Sequence, residues 1–248
     1  MRLETRFIGP DPADAPTLVF LHEGLGSIEL WRDLPDRVAE ATGLGVFLYS
    51  RNGYGGSDHK PHPWAETYLH DEALIWLPRV LNAAGIRRAV LVGHSDGGSI
   101  AAIAASANVA HQVEGVVLMA PHVMVEPAVL DGVKSAIAAY EGGRLREQLG
   151  RYQPHVDDVF WGWAKAWMDF GRIGWDIRPQ LSGITVPVLV MQGDGDEYGS
   201  AEQYDSVARA VSGPVEVLEL ENCRHLLYRD RPDDVVEAVV NFALRTLS

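Results

Sequence analysis

Cysteine is almost absent from this sequence, since Cys223 is the only one in 248 residues. A lone cysteine excludes an internal disulfide bond and a metal cluster built on several cysteines. The first residues, Met1-Arg2-Leu3-Glu4-Thr5-Arg6, lack the apolar core of a signal peptide, and no apolar run approaches the ~18 residues that span a bilayer. We therefore expect a cytoplasmic location.

Basic residues are also few, with 21 Lys and Arg against 34 Asp and Glu and a formal net charge of -13. Nucleic acids and anionic membranes bind basic surfaces, so we expect neither as a partner. Hydrophobic residues make up 47% and charged residues 22%, the balance of a globular protein with a sizeable core. Nothing in the composition sets the oligomeric state.

Short apolar runs alternate with longer helical patterns along most of the chain. The predicted strands are Thr17–His22, Val46–Ser50, Ala89–Gly93, Gly115–Ala120, Val186–Gln192 and Val215–Leu220. The predicted helices are Trp31–Thr42, Glu66–Ala84, Ser95–Ala110, Ser200–Val211 and Pro232–Leu247. Because nearly continuous apolar strands need cover on both faces, we predict an α/β fold with a mostly parallel sheet flanked by helices. Leu3–Ile8 is predicted as an antiparallel edge strand.

One long segment, from about residue 121 to 175, contains helical patterns but no convincing strand. We predict that residues 1–120 and 176–248 form one core domain and that residues 121–175 are a helical insertion between two strands. Trp161, Trp163 and Trp167 crowd near the end of this insertion. They either line an apolar substrate pocket or attach the helices to the body of the protein, and the sequence favours neither.

The segment Gly93-His94-Ser95-Asp96-Gly97 lies between a predicted strand and an Ala-rich helix. Gly-x-Ser-x-Gly at a strand-to-helix turn is typical of a nucleophilic serine, since small residues two positions away on either side let strand and helix cross closely. The Ser95 hydroxyl then stands at the carboxyl edge of the sheet. The Asp96 amide, at the start of the helix, can donate a hydrogen bond to a developing oxyanion.

A serine hydroxyl needs a histidine base, and the base needs a carboxylate that orients it. His225 follows the last predicted strand through a short loop, at the same sheet edge as Ser95, and is the predicted base. His122, just after a strand, and His155, in the helical insertion, are less well placed. For the orienting acid, three carboxylates follow the strand Val186–Gln192: Asp194, Asp196 and Glu197.

The run Leu21-His22-Glu23-Gly24-Leu25-Gly26-Ser27 stands at the end of the first long strand. A glycine-containing loop at this place supplies the second amide of an oxyanion hole. Gly24 is the predicted donor, with Leu25 as the next choice. An ordinary glycine-rich turn would have the same composition, but this location is the one that acyl transfer requires.

Together these motifs resemble those of the α/β-hydrolase superfamily, and the resemblance covers nearly the whole chain. Residues 20–27 resemble its His-Gly oxyanion loop, residues 49–57 its Asp-x-Arg-Gly-x-Gly-x-Ser loop, and residues 93–97 its nucleophile elbow. Residues 193–196 resemble its Gly-x-x-Asp acid turn, and residues 224–225 its usual Gly-His. The resemblance implies the α/β-hydrolase fold, a Ser95–His225–Asp196 triad with Asp196 chosen over Asp194 and Glu197, and a cap formed by residues 121–175.

Two departures from the family pattern bear on the substrate. Glu23 replaces a glycine after the histidine and brings a carboxylate near the pocket. The run 93–98 resembles valacyclovir-hydrolase-like enzymes, in which an acidic residue beside the nucleophile helps to recognise the ammonium of an amino-acid ester. That resemblance makes Asp96 a candidate for substrate selection, with Glu23, Leu25 and the three tryptophans as further pocket candidates.

We therefore predict a serine hydrolase that cleaves a small to medium carboxylic ester through an acyl-enzyme on Ser95. The same residues could act on a lactone, amide, thioester or carbon–carbon bond, because fold alone does not choose the bond. A ligand receptor that keeps the pocket with little turnover is a third hypothesis. None of these functions requires a cofactor or a metal ion, and the expected partner is a small, ester-like molecule.

Overall fold

A seven-stranded β-sheet forms the centre of the computed structural model, which describes residues 1–247. Its strands are β1 Thr5–Ile8, β2 Thr17–Leu21, β3 Gly45–Tyr49, β4 Ala89–His94, β5 Val113–Met119, β6 Val188–Gly193 and β7 Val215–Leu220. Their order across the sheet is β1-β3-β2-β4-β5-β6-β7. β1 pairs antiparallel with β3 and all other neighbours pair in parallel, which confirms the predicted mostly parallel sheet.

Both faces of the sheet are covered, because its central strands are apolar on both sides. Every residue of β2 and β4 is buried. Successive side chains of a strand point to opposite faces. Val19 and Leu91 accordingly join the core on one side of the sheet, while Leu18 and Val90 join the core on the other.

Helices supply the cover on the two faces. They are α1 Leu34–Thr42, α2 Tyr68–Asp71, α3 Leu77–Ala83, α4 Asp96–Ala107, α5 Pro127–Glu141, α6 Arg144–Leu149, α7 Val156–Ile173, α8 Glu202–Ala210, α9 Leu227–Asp230 and α10 Pro232–Leu247. A π-helical turn at Glu72–Trp76 joins α2 to α3, so the helix predicted over Glu66–Ala84 consists of three consecutive pieces. Within residues 1–247, no helix combines the length and the apolar character that a bilayer crossing demands.

Three helices, α5 to α7, lie between β5 and β6, in the segment where the sequence predicts a helical insertion. The two ends of this segment lie next to each other, because Met124 and Asp176 form an antiparallel bridge. α7 buries a long apolar face that includes Trp163, Trp167 and Phe170. This face packs toward the sheet, since the Trp167 indole N–H donates to Asp96 at the start of α4.

The carboxyl ends of the parallel strands meet at one edge of the sheet. β2, β4, β6 and β7 end there at Leu21, His94, Gly193 and Leu220. In open α/β sheets, ligands bind in the crevice outside these ends. The loops that follow these four strands carry the residues that the sequence predicts to be functional.

Candidate active site

Ser95 occupies the turn between β4 and α4 in a backbone conformation that residues other than glycine rarely adopt. Its φ is 53° and its ψ is -116°, and its amide donates a hydrogen bond to Met119 O at 2.9 Å. A side chain at Gly93 would collide with the Gly97 main chain, and one at Gly97 would collide with the Leu21 main chain. The two glycines therefore permit the close crossing that holds Ser95 in its strained turn.

Ser95 borders a cavity of about 210 Å³. The cavity is lined by Glu23, Gly24, Leu25, Ser95, Asp96, His122, Val129, Val133, Trp163, Trp167, Glu197, Tyr198, His225 and Leu226. Apolar side chains of α5 and α7 form one wall, and the loops at the carboxyl edge of the sheet form the other. The predicted nucleophile and the predicted base, His225, therefore lie in one cavity.

His225 is held by Asp196 through both carboxylate oxygens. The ring Nδ1 lies 2.9 Å from Asp196 Oδ1 and 3.0 Å from Oδ2. Because an ionised carboxylate only accepts hydrogen bonds, we assign the proton to Nδ1, which leaves the lone pair on Nε2. Burial alone would raise the pKa of Asp196, but the His225 imidazole and the Tyr198 N–H, which donates to Oδ1 at 2.8 Å, outweigh it and lower the pKa.

The other two carboxylates of this loop make different contacts. Asp194 is exposed, and its Oδ1 accepts the Cys223 N–H at 3.2 Å, which lowers its pKa. Glu197 Oε2 accepts the main-chain N–H of His225 at 3.1 Å. Of the three candidates, Asp196 is thus the one whose carboxylate contacts the imidazole ring.

The two alternative histidines lie in different surroundings. His155 is exposed and stacks on His59 with ring centroids 3.9 Å apart, away from the cavity. His122 lines the cavity, but its Nε2 lies 3.2 Å from Tyr198 O and its ring packs edge-on against Trp167. Burial lowers the pKa of His122 to about 4, so it stays neutral near pH 7. Asp196 contacts His225 and neither of these rings.

The loop after β2 carries the predicted oxyanion donor, Gly24. The main-chain oxygen of Glu23 accepts hydrogen bonds from His22 Nδ1 at 2.7 Å, the Gly26 N–H at 3.1 Å and Arg51 Nη2 at 3.1 Å. In a trans peptide the C=O and the following N–H point in opposite directions, so these three bonds aim the Gly24 N–H away from them. A side chain at Gly24 would collide with the Trp163 indole, which makes glycine necessary at this wall of the cavity.

Arg51, at the end of β3, is the buried residue that connects this loop to α4. Its main-chain N–H donates to His22 Nε2 at 3.0 Å, and its guanidinium also donates to His22 O. The Nη2 atom lies 3.6 Å from Asp96 Oδ2. The Tyr54 hydroxyl completes the support by donating to Gly24 O at 3.0 Å.

Asp96 lines the cavity, but both of its carboxylate oxygens already accept hydrogen bonds. Oδ2 accepts the Tyr68 hydroxyl at 2.6 Å, and Oδ1 accepts the Trp167 indole N–H at 3.1 Å. Burial raises the pKa of Asp96, and Arg51 and these two donors oppose the rise. The carboxylate therefore joins α2, α4 and α7 beneath the cavity.

The three candidate tryptophans of α7 take different positions. Trp163 and Trp167 line the cavity. Trp161 instead packs on Tyr140 and Phe160, with ring centroids 5.9 and 5.2 Å away. Residues 161 and 163 are separated by about 200° around a helix, whereas 163 and 167 share a face, so all three cannot point into one cavity.

Sequence reasoning missed several supporting residues. Arg51 and Tyr54 lie within the family-like segment 49–57, which was a signal, but the sequence did not indicate what they contact. Tyr68 and Gln153 carry no local signal. Gln153 joins the helical insertion to the loop after β2, because its amide donates to Leu25 O at 3.0 Å and Gly26 O at 2.7 Å.

Comparison with known families and sequences adds to this geometry. A family model described as the alpha/beta hydrolase family matches residues 18–238. The sn-1-specific diacylglycerol lipase ABHD11 from Danio rerio is 23% identical over 256 residues, which cover 92% of this chain and 78% of that relative. The protein of the same name from Mus musculus is 23% identical over 268 residues, which cover 93% of this chain and 81% of that relative.

Solved structures with the same architecture are numerous. A carboxylesterase from Nitrososphaera gargenis superposes with a TM-score of 0.77 at 16% identity, over 98% of this chain and 94% of that chain. A monoacylglycerol lipase from Paleococcus ferrophilus gives 0.73 at 19% identity, over 99% and 100%. The enol-lactonase from Burkholderia xenovorans LB400 gives 0.71 at 24% identity, over 97% and 95%. At these identities the similarity establishes the shared fold.

Proposed function

Because this chain belongs to the alpha/beta hydrolase family, we propose that it is a serine hydrolase that cleaves small to medium carboxylic esters. The observation that carries the proposal is the His225–Asp196 pair, whose imidazole lines the same cavity as Ser95. A nucleophile at a strained strand-to-helix turn, a base and an orienting carboxylate are the parts that acyl transfer to serine requires.

In the proposed reaction, Ser95 Oγ attacks the carbonyl carbon and passes its proton to His225 Nε2. Asp196 accepts the Nδ1–H hydrogen bond and stabilises the imidazolium. The imidazolium then protonates the departing alkoxide oxygen, so that an alcohol leaves and an acyl ester on Ser95 remains. Water repeats these steps on the acyl-enzyme: His225 takes its proton, the hydroxide adds to the carbonyl, and the protonated Ser95 oxygen leaves as the acid is released.

Negative charge develops on the carbonyl oxygen in both halves of the reaction. We assign its stabilisation to the main-chain amides of Gly24 and Asp96, two residues that line the cavity beside Ser95. The Asp96 amide stands at the first residue of α4, where the helix dipole adds to the attraction. The bonds that hold the Glu23 carbonyl keep the Gly24 amide in a fixed orientation, so little reorganisation is needed as charge builds up.

The cavity supports a substrate of modest size. Its volume of about 210 Å³ lies below the ~300–1,000 Å³ that is usual for drug-sized ligands. Val129 and Val133 of α5 and Trp163 and Trp167 of α7 offer an apolar surface for an acyl or alcohol group. We assign to residues 121–175 the role of a cap, because its helices supply this wall. The names of the relatives and structural neighbours, which include lipases and a carboxylesterase, support an ester as the bond.

The proposal is tested with purified protein on esters, lactones and amides of graded acyl size, together with labelling by a fluorophosphonate probe. We expect ester hydrolysis, labelling of Ser95, and loss of at least about 10³-fold in kcat/KM in Ser95→Ala. Ser106→Ala, in the same helix and bonded only to its own turn, is the matched control and should keep full activity. Folded protein whose Ser95 resists the probe would point instead to a ligand receptor, and faster turnover of lactones or amides would change the assigned bond.

A further inference from the structure

The cavity beside Ser95 has an unusual charge balance. Of its lining residues, Glu23, Asp96 and Glu197 carry carboxylates, and none of the lysines or arginines in residues 1–247 is part of the lining. His122 is neutral near pH 7, because burial lowers its pKa to about 4. A substrate with an anionic group would therefore enter a cavity that holds acidic side chains and lacks a fixed cation.

Two of the three carboxylates already have hydrogen-bond donors. Asp96 accepts from the Tyr68 hydroxyl at 2.6 Å and the Trp167 indole at 3.1 Å. Glu197 accepts from the His225 main-chain N–H at 3.1 Å. Asp96, which resemblance to amino-ester hydrolases makes the candidate for recognising an ammonium group, is thus committed to holding α7 over α4.

Glu23 is different, because its carboxylate has no hydrogen-bond donor among the described residues. Its side chain is 15% exposed, and the nearest basic atom is His94 Nδ1, at 4.0 Å from Oε2. His94 Nε2 lies 2.8 Å from His225 O and, since a carbonyl oxygen only accepts, donates its proton to that oxygen. His94 Nδ1 is fully buried and makes no hydrogen bond within residues 1–247, so it supplies none to the Glu23 carboxylate.

The Glu23 carboxylate therefore lines the cavity without a hydrogen-bond donor from the part of the chain that the structure describes, and a protonated amine has the charge and the N–H bonds to serve it. The position of Glu23 is fixed by its own loop. A side chain at Gly26 would collide with the Glu23 carboxylate, so glycine leaves room for it. The next residue along the chain, Gly24, is the one assigned to the oxyanion, and Glu23, Gly24 and Ser95 line the same cavity.

We propose that the Glu23 carboxylate is a subsite for a protonated amine of the substrate, in the same cavity as Ser95. This inference rests on the proposed function, since it assigns the substrate class of the same site. It accounts for a glutamate in the oxyanion loop and for the absence of basic side chains from the described lining.

Three matched benzyl esters test the subsite at about pH 6.5, where an α-amino group is protonated. Benzyl alaninate is cationic, benzyl isobutyrate is its neutral isostere, and monobenzyl methylmalonate is anionic. We expect kcat/KM to fall in that order, with the alaninate at least about 10-fold above the isobutyrate, as for a charge-assisted hydrogen bond. In Glu23→Gln the ratio of alaninate to isobutyrate should fall to about one, whatever the absolute rates. Glu197→Gln, which removes charge from the same cavity, should keep most of the ratio.

The subsite is overturned if wild-type protein shows no preference for the alaninate, or if Glu23→Gln keeps the preference. Collapse of the ratio in Asp96→Asn but not in Glu23→Gln would move recognition to Asp96.

A binding experiment separates this inference from the proposed reaction. Ser95→Ala, studied by calorimetry, should bind the alaninate more tightly than the isobutyrate, and Ser95→Ala/Glu23→Gln should not. Preferential binding without turnover in wild-type protein would refute the hydrolase and retain the subsite.

Discussion

Arg51 Nη2 lies 3.1 Å from the main-chain oxygen of Glu23 and donates a hydrogen bond to it. Arg51 is fully buried at the end of β3, and Glu23 belongs to the loop after β2, 28 residues earlier in the chain. The bond matters because the Glu23 carbonyl and the Gly24 N–H belong to one planar peptide. Arg51 therefore acts as a positioning residue for the amide that we assign to the oxyanion.

Replacement of Arg51 by lysine tests this positioning role. Lysine keeps a positive charge near Asp96, 3.6 Å from the guanidinium, but one ammonium cannot reproduce the fork that contacts both His22 O and Glu23 O. We expect kcat to fall about 10-fold with little change in KM, since removing an oxyanion donor outright costs about 10²–10³ and this variant only loosens one. Steady-state kinetics would contradict the role if KM alone changed. A thermal melt checks that the variant folds.

The assignment of the acid is tested by a pair of asparagine variants. Asp196→Asn should lower kcat by about 10⁴-fold, because an amide that replaces the carboxylate holds His225 in the wrong tautomer. Asp194→Asn should stay within a few-fold of wild type, because Asp194 is exposed and contacts the Cys223 main chain and not the ring. Equal losses in the two variants, or a larger loss in Asp194→Asn, would reverse the assignment.

A steric relationship between Gly24 and Trp163 gives a third prediction. A methyl group at Gly24 would collide with the Trp163 indole, so Gly24→Ala should displace the amide that we assign to the oxyanion and lower kcat about 100-fold. If the collision is the cause, removing the indole should relieve it. We expect kcat of the double variant Gly24→Ala/Trp163→Ala to be about 10-fold higher than that of Gly24→Ala. Trp163→Ala alone should raise KM, because apolar binding surface is lost. Additive losses in the double variant would contradict this explanation.

The stability of the fold should depend on pH through His122. Burial lowers its pKa from 6.5 to about 4, so between these values the unfolded chain binds a proton that the folded chain does not. The free energy of unfolding should therefore fall as the pH decreases from 6.5 to about 4, by up to ~1.4 kcal/mol per pH unit for this one group. His22, whose pKa burial also lowers, adds to the fall with the same sign.

Urea unfolding across that pH range measures the effect. His122→Gln should reduce the slope of the free energy of unfolding against pH by up to ~1.4 kcal/mol per pH unit, which corresponds to one proton. The contribution of His22 to the slope should remain. His111→Gln, at an exposed histidine, is the matched control. An unchanged slope in His122→Gln would show that His122 does not hold its neutral form in the folded protein.

The turn at Ser95 could be read from the sequence because its requirements are local. Strand β4 is a continuous apolar run, and the glycines at 93 and 97 are needed within a few residues of the serine, where their missing side chains allow strand and helix to cross. The alternation of apolar strands and helices likewise fixes a mostly parallel sheet, since such strands must be covered on both faces. His225 followed from the same logic, because a loop after a parallel strand returns to the same sheet edge.

The residues alone left three carboxylates open and the family resemblance favoured Asp196, but only the tertiary structure shows which carboxylate contacts the His225 ring. Asp194 and Asp196 are two residues apart in an irregular loop. Such a loop lacks the regular repeat of a helix or strand, from which the directions of side chains could be predicted. Which one contacts His225 depends on how the loops after β6 and β7 pack against each other, and Asp196 and His225 are 29 positions apart in the chain. The hydrogen bond from Cys223 to Asp194 and the one from His225 to Asp196 settle the geometry together.

The helical period alone separates Trp161 from Trp163 and groups Trp163 with Trp167, but it does not say which face meets the cavity. The sequence also placed carboxylates at 23 and 96 beside the site and left their side chains undetermined. Tyr68 and Trp167, distant in the chain, donate hydrogen bonds to Asp96, while the Glu23 carboxylate lies 4.0 Å from His94 Nδ1 and accepts no hydrogen bond among the described residues. Local backbone rules thus determined where Ser95 stands. Long-range packing decided which carboxylate near it accepts hydrogen bonds from the protein, because hydrogen bonding is satisfied by neighbours in space and not in sequence.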